Sequence, residues 1–226
     1  MSESKLIELC KSDELITPKT IRKFKNEIGT QDEYGNTALM YLCENNTSIT
    51  PEMIRELKYE IEMRNKYGET ALMYLCKNPS VTPELIKELK DEIEIRDNCG
   101  MTALMNLCDC NENITLELIQ ELEDEIGIID NSRSTALLYL CQYHTDIVTP
   151  EMIRELGDET GIQDRYGNTA LIYLCIYHKI TLELLQELEN EIKLKNVDGW
   201  TAYDYYKDSG DYDYKIMKML RIKKHY

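Results

Sequence analysis

The apolar positions of the chain fall into two alternating patterns. The first is a tight cluster, Thr37-Ala38-Leu39-Met40-Tyr41-Leu42-Cys43, which returns at 70–76, 102–108, 135–141 and 169–175, with a degenerate copy opening at Thr201. Leu39, Leu42 and Cys43 stand at helical spacing on one face of it. The second is a sparser stripe, Met53, Ile54, Leu57 and Ile61, with Arg55, Glu56, Lys58 and Glu60 between. Thr50-Pro51-Glu52 opens that stripe with a cap, a proline for the first turn and an acid that suits the helix dipole. Asp32-Glu33-Tyr34-Gly35 is turn chemistry: a side chain able to bond its own backbone, then a glycine for positive φ. The pattern predicts a turn, a short first helix over 38–44, a loop at 45–48, a longer second helix and a short extended return through Glu62-Met63-Arg64.

The cluster threonines lie 33, 32, 33, 34 and 32 residues apart. A fixed period in this range marks a solenoid, in which each small unit buries its apolar face against its neighbours. A stack presents an extended surface rather than one deep pocket, which favours binding over catalysis. The expected organisation is one domain over 1–226, with no linker. Residues 1–31 form an N-terminal cap that keeps a Leu9-Cys10 helix and a Thr17-Pro18 helix start. Five repeats follow, at 32–64, 65–96, 97–129, 130–163 and 164–195. A capping repeat at 196–226 holds a first helix over 200–206 and a final helix over 214–224, the latter with Ile216, Met219 and Leu220 and basic residues at its end.

The strings Asp32-x-x-Gly35-x-Thr37-Ala38-Leu39, Gly68-x-Thr70-Ala71-Leu72, Asp97-x-x-Gly100-x-Thr102-Ala103-Leu104, Asp164-x-x-Gly167-x-Thr169-Ala170-Leu171 and Gly199-x-Thr201-Ala202, at this period, resemble the ankyrin repeat. The resemblance runs from about residue 5 to about residue 222. It implies an all-α solenoid of ankyrin-like helix-turn-helix repeats with short hairpin or turn connections and capping units at both ends. The sequence also departs from the family. Ala follows the threonine where the family has Pro, and Met40, Met73 and Met105 stand where it has His. Leu42-Cys43 replaces a pair of small residues, and the second helix begins late and lacks the usual closing Gly. Arg133 occupies the turn-glycine position, where positive φ is costly for an arginine, so that turn is expected to be rebuilt.

The resemblance further implies a concave binding face made of turn tips, the exposed side of the first helices and the residue before each turn. Mapped onto this chain, its apolar and aromatic positions with one base give the candidate partner-binding set Tyr34, Tyr67, Cys99, Met101, Cys110, Ile129, Tyr143, Arg165, Tyr166, Ile176, Tyr177 and Trp200. The full face carries Glu33, Glu44, Glu69 and Asp109 against Arg64, Lys66, Lys77, Arg96, Arg165 and Lys195, near neutrality in a chain of net charge −16. The acid is therefore expected on the second helices, where it would keep the chain soluble and monomeric. Internal variation at exposed positions of a repeated frame is what a surface for another protein looks like. Aromatic and apolar residues gather in the C-terminal half of this face, and Tyr and Trp are favoured at such contacts.

Composition narrows the chemistry. Of eight cysteines, Cys10, Cys43, Cys76, Cys108, Cys141 and Cys175 recur once per unit. Equivalent positions in units stacked about 10 Å apart are too distant for a disulfide, so these read as reduced core residues. With no signal-peptide pattern at Met1-Ser2-Glu3-Ser4-Lys5 and no membrane-length apolar run, the expected location is cytoplasmic or nuclear, not secreted. The acidic balance argues against nucleic acid. Glu56/Glu60, Glu88/Glu92, Glu121/Glu125, Glu155/Glu159 and Glu187/Glu191 are carboxylate pairs at i, i+4, expected on a solvated face rather than as catalytic dyads. Cys99, Cys108 and Cys110 with His144 and His178 match no zinc spacing. There is no Gly-rich phosphate loop, HExxH, GxSxG or calcium loop. The reading is a non-enzymatic protein–protein interaction module, with no cofactor, metal, membrane or small-molecule substrate. Its competitors are an acidic decoy mimicking nucleic acid and a scaffold component of a larger viral or host-targeting assembly.

Overall fold

The structure is a computed structural model that describes residues 4–12, 16–208 and 213–222. Among them the chain is helical and carries no strand. It divides into two compact units, Met1–Glu125 and Ile126–Tyr226. The first holds α1 (Lys5–Lys11), α2 (Pro18–Arg22), α3 (Ala38–Asn45), α4 (Pro51–Glu56), α5 (Ala71–Lys77), α6 (Pro83–Glu88), α7 (Ala103–Cys110) and α8 (Leu116–Gln120). The second holds α9 (Ala136–Tyr143), α10 (Pro150–Glu155), α11 (Ala170–Ile176), α12 (Leu182–Glu187), α13 (Ala202–Asp208) and α14 (Tyr214–Ile222). Within the first unit, α1, α3, α5 and α7 pack one on the next, and so do α2, α4 and α6. In the second, α9, α11 and α13 form one row, and α10, α12 and α14 the other. The final helix ends at Ile222; positions 223–224, where it was expected to continue, lie outside the described residues.

The helices begin where the threonines stand. Thr37, Thr102, Thr135 and Thr169 accept from the N3 amides of α3, α7, α9 and α11, satisfying donors that have no partner inside the helix. Thr37 closes a reciprocal box, its own N–H reaching Met40 Sδ at 3.5 Å. Thr17, Thr50, Thr82 and Thr149 cap α2, α4, α6 and α10, each followed by proline at the first turn. The first helices are enclosed on nearly all sides: Ala38, Leu39, Met40, Leu42 and Cys43 are each 0–1 % exposed. The six phased cysteines are all buried and none forms a disulfide. Burial pushes the Cys10 thiol up to about 12, and Cys43 and Cys76 well above the usual thiol range.

Three expectations are corrected. The second helices are the shorter ones: α4 stops at Glu56, Leu57 leaves helical geometry (φ −105°, ψ 18°), and a 3-10 turn, Lys58–Glu60, follows. The return is not extended at its start, because Glu62 is left-handed (φ 67°), as are Gly29, Glu94, Gly127 and Gly161 at the same position of other units. The carboxylate pairs are split. Glu60, Glu92, Glu125, Glu159 and Glu191 are no more than 1 % exposed, so only the first member of each pair stays on the outer side.

The 3-10 turn is what rotates these glutamates inward, and their contacts explain why. Glu60 accepts from Leu39 N–H at 2.7 Å in its own first helix and from Gly29 N–H at 2.8 Å in the preceding unit. Glu92 takes Leu72 and Glu62, Glu125 takes Leu104 and Glu94, Glu159 takes Leu137 and Gly127, and Glu191 takes Leu171 and Gly161. Each carboxylate thus sits at a helix N-terminus and ties two successive units through main-chain donors. Burial raises the pKa of all five, while the donated hydrogen bonds pull the other way.

On the outer side, second helices are joined by ion pairs that run from a base to the next unit's acid. Arg22 meets Glu56, Arg55 meets Glu88 (Nε to Oε2, 2.9 Å) and Lys87 meets Glu121 (2.9 Å) in the first unit. Arg154 meets Glu187 at 3.1 Å in the second.

Candidate partner-binding surface

The turn tips are built by one side chain each. Asp32 Oδ1 accepts from Tyr34 N–H and Asn36 N–H, both at 2.9 Å, and Gly35 N–H returns to Asp32 O. Asn65, Asp97, Asp130, Asp164 and Asn196 repeat the arrangement. Tyr41, Tyr139 and Tyr173 brace the second carboxylate oxygen of Asp32, Asp130 and Asp164 through their hydroxyls. Asn106 stands in the tyrosine's place in the third repeat and donates to Thr102 O instead. Arg133 corrects another expectation: its turn is kept, not rebuilt. It adopts φ 64° while Asp130 still holds Ser132 and Ser134 N–H at 2.8 and 2.7 Å. The aspartate grips the turn firmly enough to hold a non-glycine residue in the left-handed region.

Neighbouring tips are zipped through the main chain. Lys66 N–H donates to Tyr34 O and Asn98 N–H to Tyr67 O in the first unit; Arg165 N–H donates to Ser132 O and Val197 N–H to Tyr166 O in the second. Where the residue before a turn is Gln or Arg, it adds a side-chain staple. Gln31 donates to Gly35 O and Arg64 O, and Arg64 to Gly68 O and Arg96 O. Gln163 does the same to Gly167 O and Lys195 O. Arg64 and Arg96, counted above among the bases of the face, therefore hold carbonyls of the frame. Lys77 pairs with Glu69 at 3.0 Å, and Arg165 reaches Ser132 Oγ while its guanidinium lies over the Tyr166 ring. Much of the charge on this face is thus answered within the chain, and what projects is aromatic.

None of the candidate residues is buried. In the first unit Tyr34, Tyr67 and Cys99 occupy the same turn position and are exposed, Met101 is half-buried and Cys110 is exposed at the end of α7. In the second unit Tyr166 is 58 % exposed at that turn position, Tyr143 and Tyr177 are exposed at the ends of α9 and α11, Ile176 is half-buried, and Ile129, Arg165 and Trp200 are exposed. Tyr143 stacks on Tyr139 (centroids 6.2 Å apart) and Trp200 leans on Tyr205 (4.9 Å). These braces hold large rings in place at little entropic cost. Sequence reasoning missed Val197, exposed beside Trp200 where other units carry Lys66 and Arg165. Its signal was an apolar residue at a position that is otherwise polar. An open hollow of ≈ 450 Å³ beside it is lined by Asp198, Gly199, Trp200, Asp204, Lys207 and Asp208. Among the described residues no group of three or more His, Cys, Asp or Glu is placed to hold a metal ion, and no helix is long and apolar enough to cross a membrane.

No family model and no curated protein matches the sequence. Solved structures do match. One is the ankyrin repeat domain of Bcl-3, a member of the IkappaB protein family, at TM-score 0.62 and 18 % identity, covering 90 % of this chain and 91 % of that one. Another is a chain from the Bd0816 predatory endopeptidase of Bdellovibrio bacteriovorus in complex with immunity protein Bd3460, at TM-score 0.53 and 24 % identity, covering 99 % and 100 %. This is a helical repeat protein. Its fold is that of the ankyrin repeat, as the turn-helix-helix strings implied.

Proposed function

We propose that the chain is a non-enzymatic module that binds another protein through its turn tips and first-helix ends, the concave face of an ankyrin stack, with the aromatic set of the second unit contributing most. One observation carries this reading. The turns are held by the same bonds in every repeat, yet their exposed residues change from unit to unit, and in the second unit Tyr143 and Trp200 are braced by Tyr139 and Tyr205. A frame this constant leaves tip identity free for recognition, and rigid Tyr and Trp side chains are what protein interfaces favour. The ankyrin fold of the structural neighbours supports a protein partner without naming it, and the reducing-compartment reading of the cysteines supports an intracellular one.

The test is capture of partners from native extract, followed by affinity measurement with variants. Tyr166→Ala and Tyr177→Ala are each expected to weaken binding by about 1–3 kcal/mol, with the thermal melt unchanged. Glu183→Lys, on the exposed side of α12, is expected to leave affinity intact. Loss of binding with Glu183→Lys alone, together with a steep salt dependence, would place the contact on the acidic helices and favour the decoy reading.

A further inference from the structure

The second helices pass charge forward: Arg22 to Glu56, Arg55 to Glu88, Lys87 to Glu121, Arg154 to Glu187. Helix α14 is the last of them. Ile216 and Leu220 are buried on its inner side, toward α12 and α13, and Lys215, Lys218 and Arg221 are exposed along the opposite side. Among the described residues none of these three cations has an ion-pair partner. The charge is segregated in the sequence as well. Residues 213–226 hold five of the 26 Lys and Arg but one of the 42 Asp and Glu. The opposite extreme is 115–127, with Glu117, Glu121, Glu123, Asp124 and Glu125 and no base. Glu117, Glu123 and Asp124 are exposed there, on α8 and the 3-10 turn Glu123–Glu125.

We propose that the basic side of α14 docks on the acidic strip of α8 and its following turn in a second copy of the chain. The contact repeats between molecules the base-to-acid pairing that joins second helices within each unit. End-to-end joining through α2 is disfavoured, because Lys19, Lys23 and Lys25 are exposed there and would meet like charge. A single exposed ion pair contributes little, so three cations facing three acids give a weak, salt-sensitive pair. At moderate ionic strength the −16 net charges of two copies are screened beyond about 8–10 Å, while charges in contact are not.

Sedimentation equilibrium of the full chain tests this. In about 0.1 M salt the average mass is expected to rise with concentration above one chain of 26.5 kDa, and to return to one chain in about 1 M salt. K215E/K218E/R221E and E117K/E123K/D124K are each expected to weaken self-association at least tenfold, with unchanged circular dichroism. Mixing the two variants is expected to restore association, since the acidic α14 of the first then faces the basic strip of the second and the unchanged α14 of the second faces the unchanged strip of the first, and failure to restore it overturns the proposal; K215E/K218E/R221E mixed with wild type is expected to pair only through wild-type α14. Lys218→Glu alone, the mildest change, is expected to weaken association about threefold. A mass of 26.5 kDa at every concentration in about 0.1 M salt overturns the proposal, as does association that survives either triple variant.

Discussion

The seam beneath the first helices and the tips of the turns obey opposite rules within one repeat. At the seam a single glutamate recurs at five junctions and is buried each time, accepting one N–H from its own unit and one from the unit before. The left-handed donor is Gly at three of these junctions and Glu at two, since only its main-chain N–H is used. At the tips the backbone is just as constant, yet the corresponding residues are Tyr34, Tyr67, Cys99, Ser132, Tyr166 and Asp198. In a stack, a letter that never changes marks where units hold each other. A letter that changes on an unchanged backbone marks where they are free to hold something else.

The comparison breaks most directly at Glu92. Glu92→Leu strips the acceptor from the buried Leu72 N–H and the part-buried Glu62 N–H, and the loss, chiefly at Leu72, costs about 1–3 kcal/mol. Glu88→Leu, four residues earlier in the same apparent pair, removes an exposed contact with Arg55 and costs about 0–1 kcal/mol. Urea unfolding of the two variants decides it, and equal effects would mean that the split between the two rows is unreal.

Acid titration sharpens the same contrast. The seam glutamates have raised folded pKa values, so the folded state binds protons more tightly than the unfolded chain does. Their ionisation opposes folding at neutral pH, and stability should rise as pH falls through their raised values toward the ordinary carboxylate range near 4.3. Asp32 and Glu69 are lowered, chiefly by hydrogen bonds that outweigh their burial, so their stabilisation is present above that range and is lost as pH falls below it. A stability maximum on the acid side of neutrality, flattened in Glu125→Gln but retained in Glu123→Gln, is the expected profile.

What was legible in the sequence follows from the same physics. The period, the caps at Thr37 and Thr50, the Asp32 turn and the core cysteines could be read because each is a local signal. The seam could not. Glu56 and Glu60 look alike in a helical stripe, and only the break at Leu57, a φ/ψ choice with no residue signature, turns the second inward. Pre-turn staples such as Arg64 were hidden for a related reason. Their acceptors are main-chain carbonyls four and 32 residues away, and a carbonyl leaves no letter in the sequence.

Thiol chemistry separates frame from surface by rate. The six seam-side cysteines are buried, and those with resolved shifts have raised pKa values, so they should label only on unfolding. Cys110 is exposed, but its thiol lies 3.2 Å from Asp109 and is pushed up to about 11, burial first and the carboxylate second. Cys99 is expected to react first, Cys110 much more slowly, and the others not at all in the native state. Rapid modification of all eight would remove the buried-core reading.

The smallest effects test whether the turn frame is as constant as it looks. Gly167 has φ 74°, and a Cβ built on it would lie 2.8 Å from Asn196 Cα in the next turn. Gly167→Ala should therefore cost about 1–3 kcal/mol, from the left-handed backbone and the close approach together. Arg133 fills the matching position one repeat earlier at φ 64°, carrying the backbone strain as a standing feature of the native chain. Arg133→Gly relieves about 1–2 kcal/mol of left-handed strain but adds about 0.5–1 kcal/mol of unfolded-state entropy. A net gain of about 0.5 kcal/mol is expected in urea unfolding. Destabilisation by Arg133→Gly would mean that the arginine side chain does structural work that the Asp130 hydrogen bonds do not account for.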